Sequence, residues 1–83
     1  MGKLSFKDFI ESKQLIGIHV STFAQCQTIC DKAKQANLWG NPGLWASYKE
    51  NTVYFNDGHF ADIEYCESRN IIFYEYDQID LSK

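Results

Sequence analysis

Proline is almost missing from this 83-residue chain, with Pro42 alone, and glycine numbers only five. So little of either excludes a Pro- or Gly-rich disordered linker, and a hydrophobic content of 45% with 16% aromatics is ample for a core. Long apolar runs are also missing. Nothing approaches the ~18 residues that span a bilayer, and the N-terminus lacks the charged start, apolar centre and small-residue cleavage site of a secretory signal. A cytoplasmic location is therefore expected. Met1-Gly2 invites a lipidation check, but the small hydroxyl residue needed at position 6 is replaced by Phe6, so myristoylation is not expected. The three cysteines are odd in number, and Cys26 and Cys30 lie four apart in a helical pattern, which argues against a disulfide framework. They read as reduced thiols used as small apolar residues.

Positive charge is scarce in the second half. From Glu50 onward, eight carboxylates (Glu50, Asp57, Asp62, Glu64, Glu67, Glu75, Asp77 and Asp80) face only Arg69 and Lys83, a net −6. The first 49 residues carry +3 and the whole chain −3. Arg69 is the only arginine, and the isoelectric point is about 5.2. Direct binding to nucleic acid needs a basic stripe to meet phosphates, so it is disfavoured. An acidic face suits the opposite role, occupying a basic channel of another protein.

A chain of this length makes one domain that buries roughly 60–65% of its unfolded surface, and a large enclosed active site is not expected. Ser5 and Asp8, with apolar Phe6, Phe9 and Ile10, predict a short capped helix. Ile16, Ile18 and Val20 alternate with Gly17 and His19, which predicts a strand with one buried face. Thr22 and Gln25 form a capping-box pair that opens a longer helix, its stripe being Phe23, Cys26, Ile29, Cys30 and Ala33. Asn37 to Gly43 breaks it. Leu44–Tyr48 and Thr52–Phe55 are expected as antiparallel strands. After the Asn56-Asp57-Gly58 turn, Asp62 caps a short helix that ends at Asn70, and Ile71–Tyr76 forms the last strand. The expected fold is α+β, one main helix packed on a mainly antiparallel sheet of about four strands in two layers, with short helices added. Residues 1–83 make a single domain, with 1–14 a helical extension, 15–79 the core and 80–83 a loose tail.

Residue types that carry chemistry occur without the spacing that would make them work. Cys26, Cys30, Cys66 and His59 suit a zinc site, yet no Cys-x-x-Cys knuckle is present and the first two fit the core stripe. Cys66 and His59 suit a nucleophile and its base, with no local signature to support the pair. His19 reads as a hydrogen-bonded strand residue. Asp57-Gly58 lacks the further oxygen ligands of a calcium loop, and Gly40-Asn41-Pro42-Gly43 lacks the pattern of a phosphate loop. Both read as turns. No enzyme activity, metal or cofactor is expected. Aromatics are in surplus: if Ile71, Phe73 and Glu75 share one side of the last strand, Ile72, Tyr74 and Tyr76 share the other.

The run Ile18 to Thr22, a Trp at 39 or 45, Asn51 to Phe55, Asp57-Gly58, Ile63 to Tyr65 and Ile71 to Asp77 resembles small accessory proteins encoded by bacteriophages and prophages. The pattern covers most of residues 15 to 79 and leaves Met1 to Gln14 outside it. The resemblance implies a host-takeover or anti-defence protein in an infected or lysogenic bacterium, inhibitors of CRISPR effectors included. Together with the −6 charge, it makes Glu64, Glu67, Tyr74, Glu75, Tyr76 and Asp77 candidate contacts to a host protein such as a nucleic-acid-binding nuclease. Two alternatives stay open. One is an oligomer that sequesters a signalling nucleotide, using a Tyr or Trp to stack the base and Lys32 or Lys34 to meet phosphate; the other is a structural or interaction domain. Monomer and homodimer are both compatible with the sequence.

Overall fold

A computed structural model describes residues 3–82. Met1, Gly2 and Lys83, on which the lipidation reading and the end of the expected tail fall, lie outside them. The described residues form β1 (Leu4–Ser5), α1 (Phe6–Glu11), β2 (Gly17–His19), α2 (Phe23–Gln35), α3 (Trp45–Tyr48), β3 (Thr52–Phe55), β4 (Phe60–Asp62), α4 (Ile63–Arg69), β5 (Phe73–Glu75) and β6 (Ile79–Asp80). The fold is α+β. Its main sheet has the order β4-β3-β2-β5, with β2 antiparallel to β3, β3 antiparallel to β4, and β2 parallel to β5. The sheet is therefore mixed, because α4 carries the chain back along the sheet before β5 begins.

Helix ends follow local chemistry. The Ser5 hydroxyl accepts from Asp8 N–H at 3.1 Å, Thr22 from Gln25 N–H at 3.1 Å, and the Asp62 carboxylate from Tyr65 N–H at 2.9 Å. The Gln25 side chain reaches back to Ser21 N–H at 3.0 Å. Asn37 and Asn70 adopt φ of 61° and 57° just past α2 and α4. The next amides, Leu38 and Ile71, then bond back to the carbonyls of Ala33 and Cys66, which is the Schellman arrangement.

Two cores lie on the two faces of the sheet. The larger joins Ile16, Ile18, Val20 and Tyr54 to Cys26, Ile29, Cys30 and Ala33 of α2 and to Phe6 and Phe9 of α1. The smaller joins Val53 and Phe55 to Ala61, Cys66, Ile63, Ile71 and Phe73. Two covered faces replace the single buried face expected of β2. Gly17 is buried against the second core, where an added Cβ would collide with Val53 Cγ1.

Other local expectations are also corrected. Leu44–Tyr48 is helical, since Asn41 caps a 3-10 turn, Pro42–Leu44, through its side chain to Gly43 N–H at 3.0 Å, and the chain runs on into α3. The hairpin partner of β3 is instead β4, across the Asn56-Asp57-Gly58 turn, where Gly58 takes φ 93°, and β2 lies antiparallel on its other edge. Phe23 leaves the α2 stripe and is 46% exposed, set edge-on against Trp45. The expected tail is partly structured: Asp80 belongs to β6, which pairs in parallel with β1, Ser5 opposite Asp80.

Candidate functional site

Strand direction gathers the carboxylates. Because β2 and β4 are both antiparallel to β3 and β5 is parallel to β2, three strands finish and one starts at the same end of the sheet. Asp62, His19 and Glu75 close their strands there. Glu50 sits in the 3-10 turn Lys49–Asn51 that enters β3, Glu64 and Glu67 in the first two turns of α4, and Asp77 in the 3-10 turn that follows β5. Glu50, Glu64, Glu67, Glu75 and Asp77 are exposed. Among the described residues, no Lys or Arg forms an ion pair with Glu64, Glu67 or Asp77. A shallow cleft of about 340 Å³ lined by Asn51, Asp62, Ile63, Glu64 and Glu67 opens here.

The candidate contacts named from sequence divide into two groups. Glu64, Glu67, Glu75 and Asp77 share this end of the sheet. Tyr74 and Tyr76 are half-buried against the larger core, so their rings contribute structure first. As alternation requires, Ile71 and Phe73 meet the opposite core. The exposed rings are Phe23, Trp39 and Tyr65; Arg69 lies 4.6 Å from the centre of the Tyr65 ring.

His19 is the best-connected polar side chain at this end. Its Nδ1 lies 2.7 Å from Glu75 Oε1 and its Nε2 2.6 Å from the Glu50 carbonyl. The turn it holds is strained: Lys49 has φ 53° and ψ −129°, a region that costs a side-chain-bearing residue of order 1–3 kcal/mol. The buried Thr52 hydroxyl donates to Lys49 O at 2.7 Å and helps fix it. Replacing Lys49 with Gly is expected to raise stability by ~1 kcal/mol, the relieved strain outweighing the added freedom of the unfolded chain. A lower melting temperature for that variant would refute the strain.

The remaining chemistry-bearing residues are kept apart. Cys66 is fully buried in the smaller core, while His59 is 81% exposed on the hairpin turn with Nδ1 3.0 Å from Asp57. No nucleophile–base pair forms between them. Among the described residues no cluster of three or more His, Cys, Asp or Glu could hold a metal ion. Burial, with Asp62 and Glu67 beyond it, pushes the Cys66 thiol up to about 11. Both cysteines of α2 are free thiols; the Cys30 thiol is raised by its hydrogen bond with Cys26 and by burial, and the same hydrogen bond lowers Cys26. Burial also raises Tyr54, whose hydroxyl donates to Trp39 O at 2.7 Å.

These shifts carry a pH consequence. The folded state binds the Cys66 proton more tightly than the unfolded chain, so the contribution is complete below the ordinary value of 9.0 and is lost as pH rises toward 11. Tyr54 acts in the same sense. The urea midpoint at about pH 10.5 is expected to fall below that at about pH 8; an unchanged midpoint would contradict it.

Two of the other grooves bear on ligand binding. One, of about 320 Å³, runs between α1 and α2 past Phe6, Lys7, Ile10, Glu11 and Lys32. Lys32 thus has Lys7 for company, but the ring beside them, Phe6, is 4% exposed and offers no face to a base. The other, of about 390 Å³, is lined by Leu15, Tyr48, Phe55, His59, Phe60 and Tyr65.

Glu50 and Asp62 join the acidic end without having been singled out as contacts. The hairpin signal Asn-Asp-Gly, followed by His59 to Asp62, was the available clue to β4 and hence to the place of Asp62. Among the described residues no helix is long and apolar enough to cross a membrane. Comparison of the chain with protein-family models, with curated proteins and with solved structures finds no match, so its function is read from its own chemistry.

Proposed function

We propose that the chain is a non-enzymatic binding protein of the phage accessory type that its sequence resembles, and that it inhibits a host defence protein by docking its acidic sheet end on a basic surface. One observation supports this most: the strand directions bring Glu50, Glu64, Glu67, Glu75 and Asp77 to one end of a small domain. Clustered charge of one sign speeds encounter with an oppositely charged surface and rejects like-charged ones. A basic nucleic-acid channel is such a surface, and a compact acidic plug competes there with phosphate. The half-buried state of Tyr74 and Tyr76 shifts the weight of the contact from aromatic rings to carboxylates.

The test has two arms. Tagged protein is used to capture partners from a bacterial lysate at low and high salt, beside a Glu64→Lys/Glu67→Lys variant of unchanged circular dichroism. In parallel, phage plating is measured on a defence-active strain expressing each form. A specific, salt-sensitive partner that the variant loses, with plating restored by the wild type only, is the expected result. No specific partner and no change in plating would overturn the proposal.

A further inference from the structure

We propose that His19 is a protonation-dependent clasp that fastens the Lys49–Asn51 turn to β5. The inference holds whatever the acidic end binds. A carbonyl oxygen and an ionised carboxylate are acceptors only. His19 faces one of each, the Glu50 carbonyl at 2.6 Å from Nε2 and Glu75 Oε1 at 2.7 Å from Nδ1. Both contacts are hydrogen bonds only if both ring nitrogens carry protons. A neutral ring has one N–H and must turn a lone pair toward one of the two acceptors.

The surroundings leave the ring little choice. Its side chain is 13% exposed, and it sits edge-on to Phe73 at 6.2 Å between ring centres. The ring touches the Glu75 carboxylate on β5 and the backbone carbonyl of Glu50, and Lys49 and Glu50 are the charged residues of the turn it meets. Asp62, Glu64, Glu67 and Asp77 stand at the same sheet end, while Val53, opposite on β3, is uncharged. When the ring loses a proton, the bond to the carboxylate is the stronger of the two and is retained. The Glu50 carbonyl is then released. What it releases is one fastening of the strained turn, with Lys49 at φ 53° held thereafter by its N–H on Trp45 O and by the Thr52 N–H and hydroxyl on its own carbonyl, none of which ties Glu50 to β5. The sign follows: the clasp is closed while both ring nitrogens carry protons and opens when one is lost.

Glu75→Gln separates this from a merely packed histidine. The carboxamide can donate to Nδ1 while a neutral ring keeps Nε2–H on the Glu50 carbonyl, so both contacts survive with a single ring proton. The experiment follows His19 ring nitrogens and the backbone amides of residues 49–52 by NMR from about pH 5 to 9. A His59→Asn background leaves one imidazole to observe. Expected in the parent are two protonated ring nitrogens at low pH, with the 49–52 amides shifting along the ring's own titration curve; in Glu75→Gln those amides stay still. A ring that is neutral throughout, a ring that titrates without moving 49–52, or a Glu75→Gln protein whose amides move as in the parent would each overturn the clasp. The parent titration decides the matter by itself should Glu75→Gln fold poorly.

Discussion

Phe9→Ala is expected to lower the unfolding free energy by about 3–5 kcal/mol, the range for emptying a buried aromatic site. Phe9 is fully buried, with its ring centre 5.7 Å from Phe6 and 6.3 Å from Tyr54. It fastens a six-residue helix that would not persist alone, since so few residues cannot offset the cost of nucleation. A domain of this size has roughly 4–12 kcal/mol in total. The variant should therefore populate unfolded chain in mild urea, and limited proteolysis should cut first within residues 6–14. A loss under about 1 kcal/mol would mean that α1 is an appendage to the core.

Gly17→Ala is the second large effect, at about 2–3 kcal/mol, although it adds one methyl group. The new Cβ would overlap Val53 Cγ1 and stand 3.0 Å from Phe55 Cδ1. Val53 is β-branched and fully buried, so it has no free rotamer to escape into. Overpacking of this kind commonly costs 1–3 kcal/mol. The cause can be isolated, because Val53→Ala opens space at the point of collision. The double variant should be less destabilised than the sum of the two single ones, by about 1 kcal/mol in urea titrations. Strict additivity would place the damage elsewhere, for example in the Gly17 N–H bond to Ile72 O at 3.1 Å.

Gly17 also shows where sequence reading succeeds and stops. Local signals were legible: Ser5, Thr22 and Asp62 cap the helices expected of them, Asn70 closes α4, and Thr52–Phe55 is a strand. Each depends on hydrogen bonds within a few residues. A Gly and a His alternating with Ile and Val look like a solvent face. In the fold, the absent side chain of Gly17 leaves room for Val53 and Phe55 within the second core, and His19 becomes a link to Glu75. Leu44–Tyr48 has strand-like residues, but Asn41 and Pro42 begin a helical path that alternation does not reveal. The acidic end was legible as charge without location. Glu64, Glu67, Glu75 and Asp77 could be named, yet their meeting depends on the parallel β2–β5 pairing, which no local motif encodes.

That central strand also sets a tempo. β2 is three residues long, and its neighbours arrive late in the chain: Ile16 bonds Asn56 across 40 residues and His19 meets Glu75 across 56. Closing the longer ring costs only about 0.3 kcal/mol more than the shorter, since ring entropy grows with the logarithm of length. Neither neighbour therefore has a decisive head start. The barrier is crossed when a short ribbon has found two distant partners, one antiparallel and one parallel, and this places the domain among the slower folders of its size rather than with helical bundles.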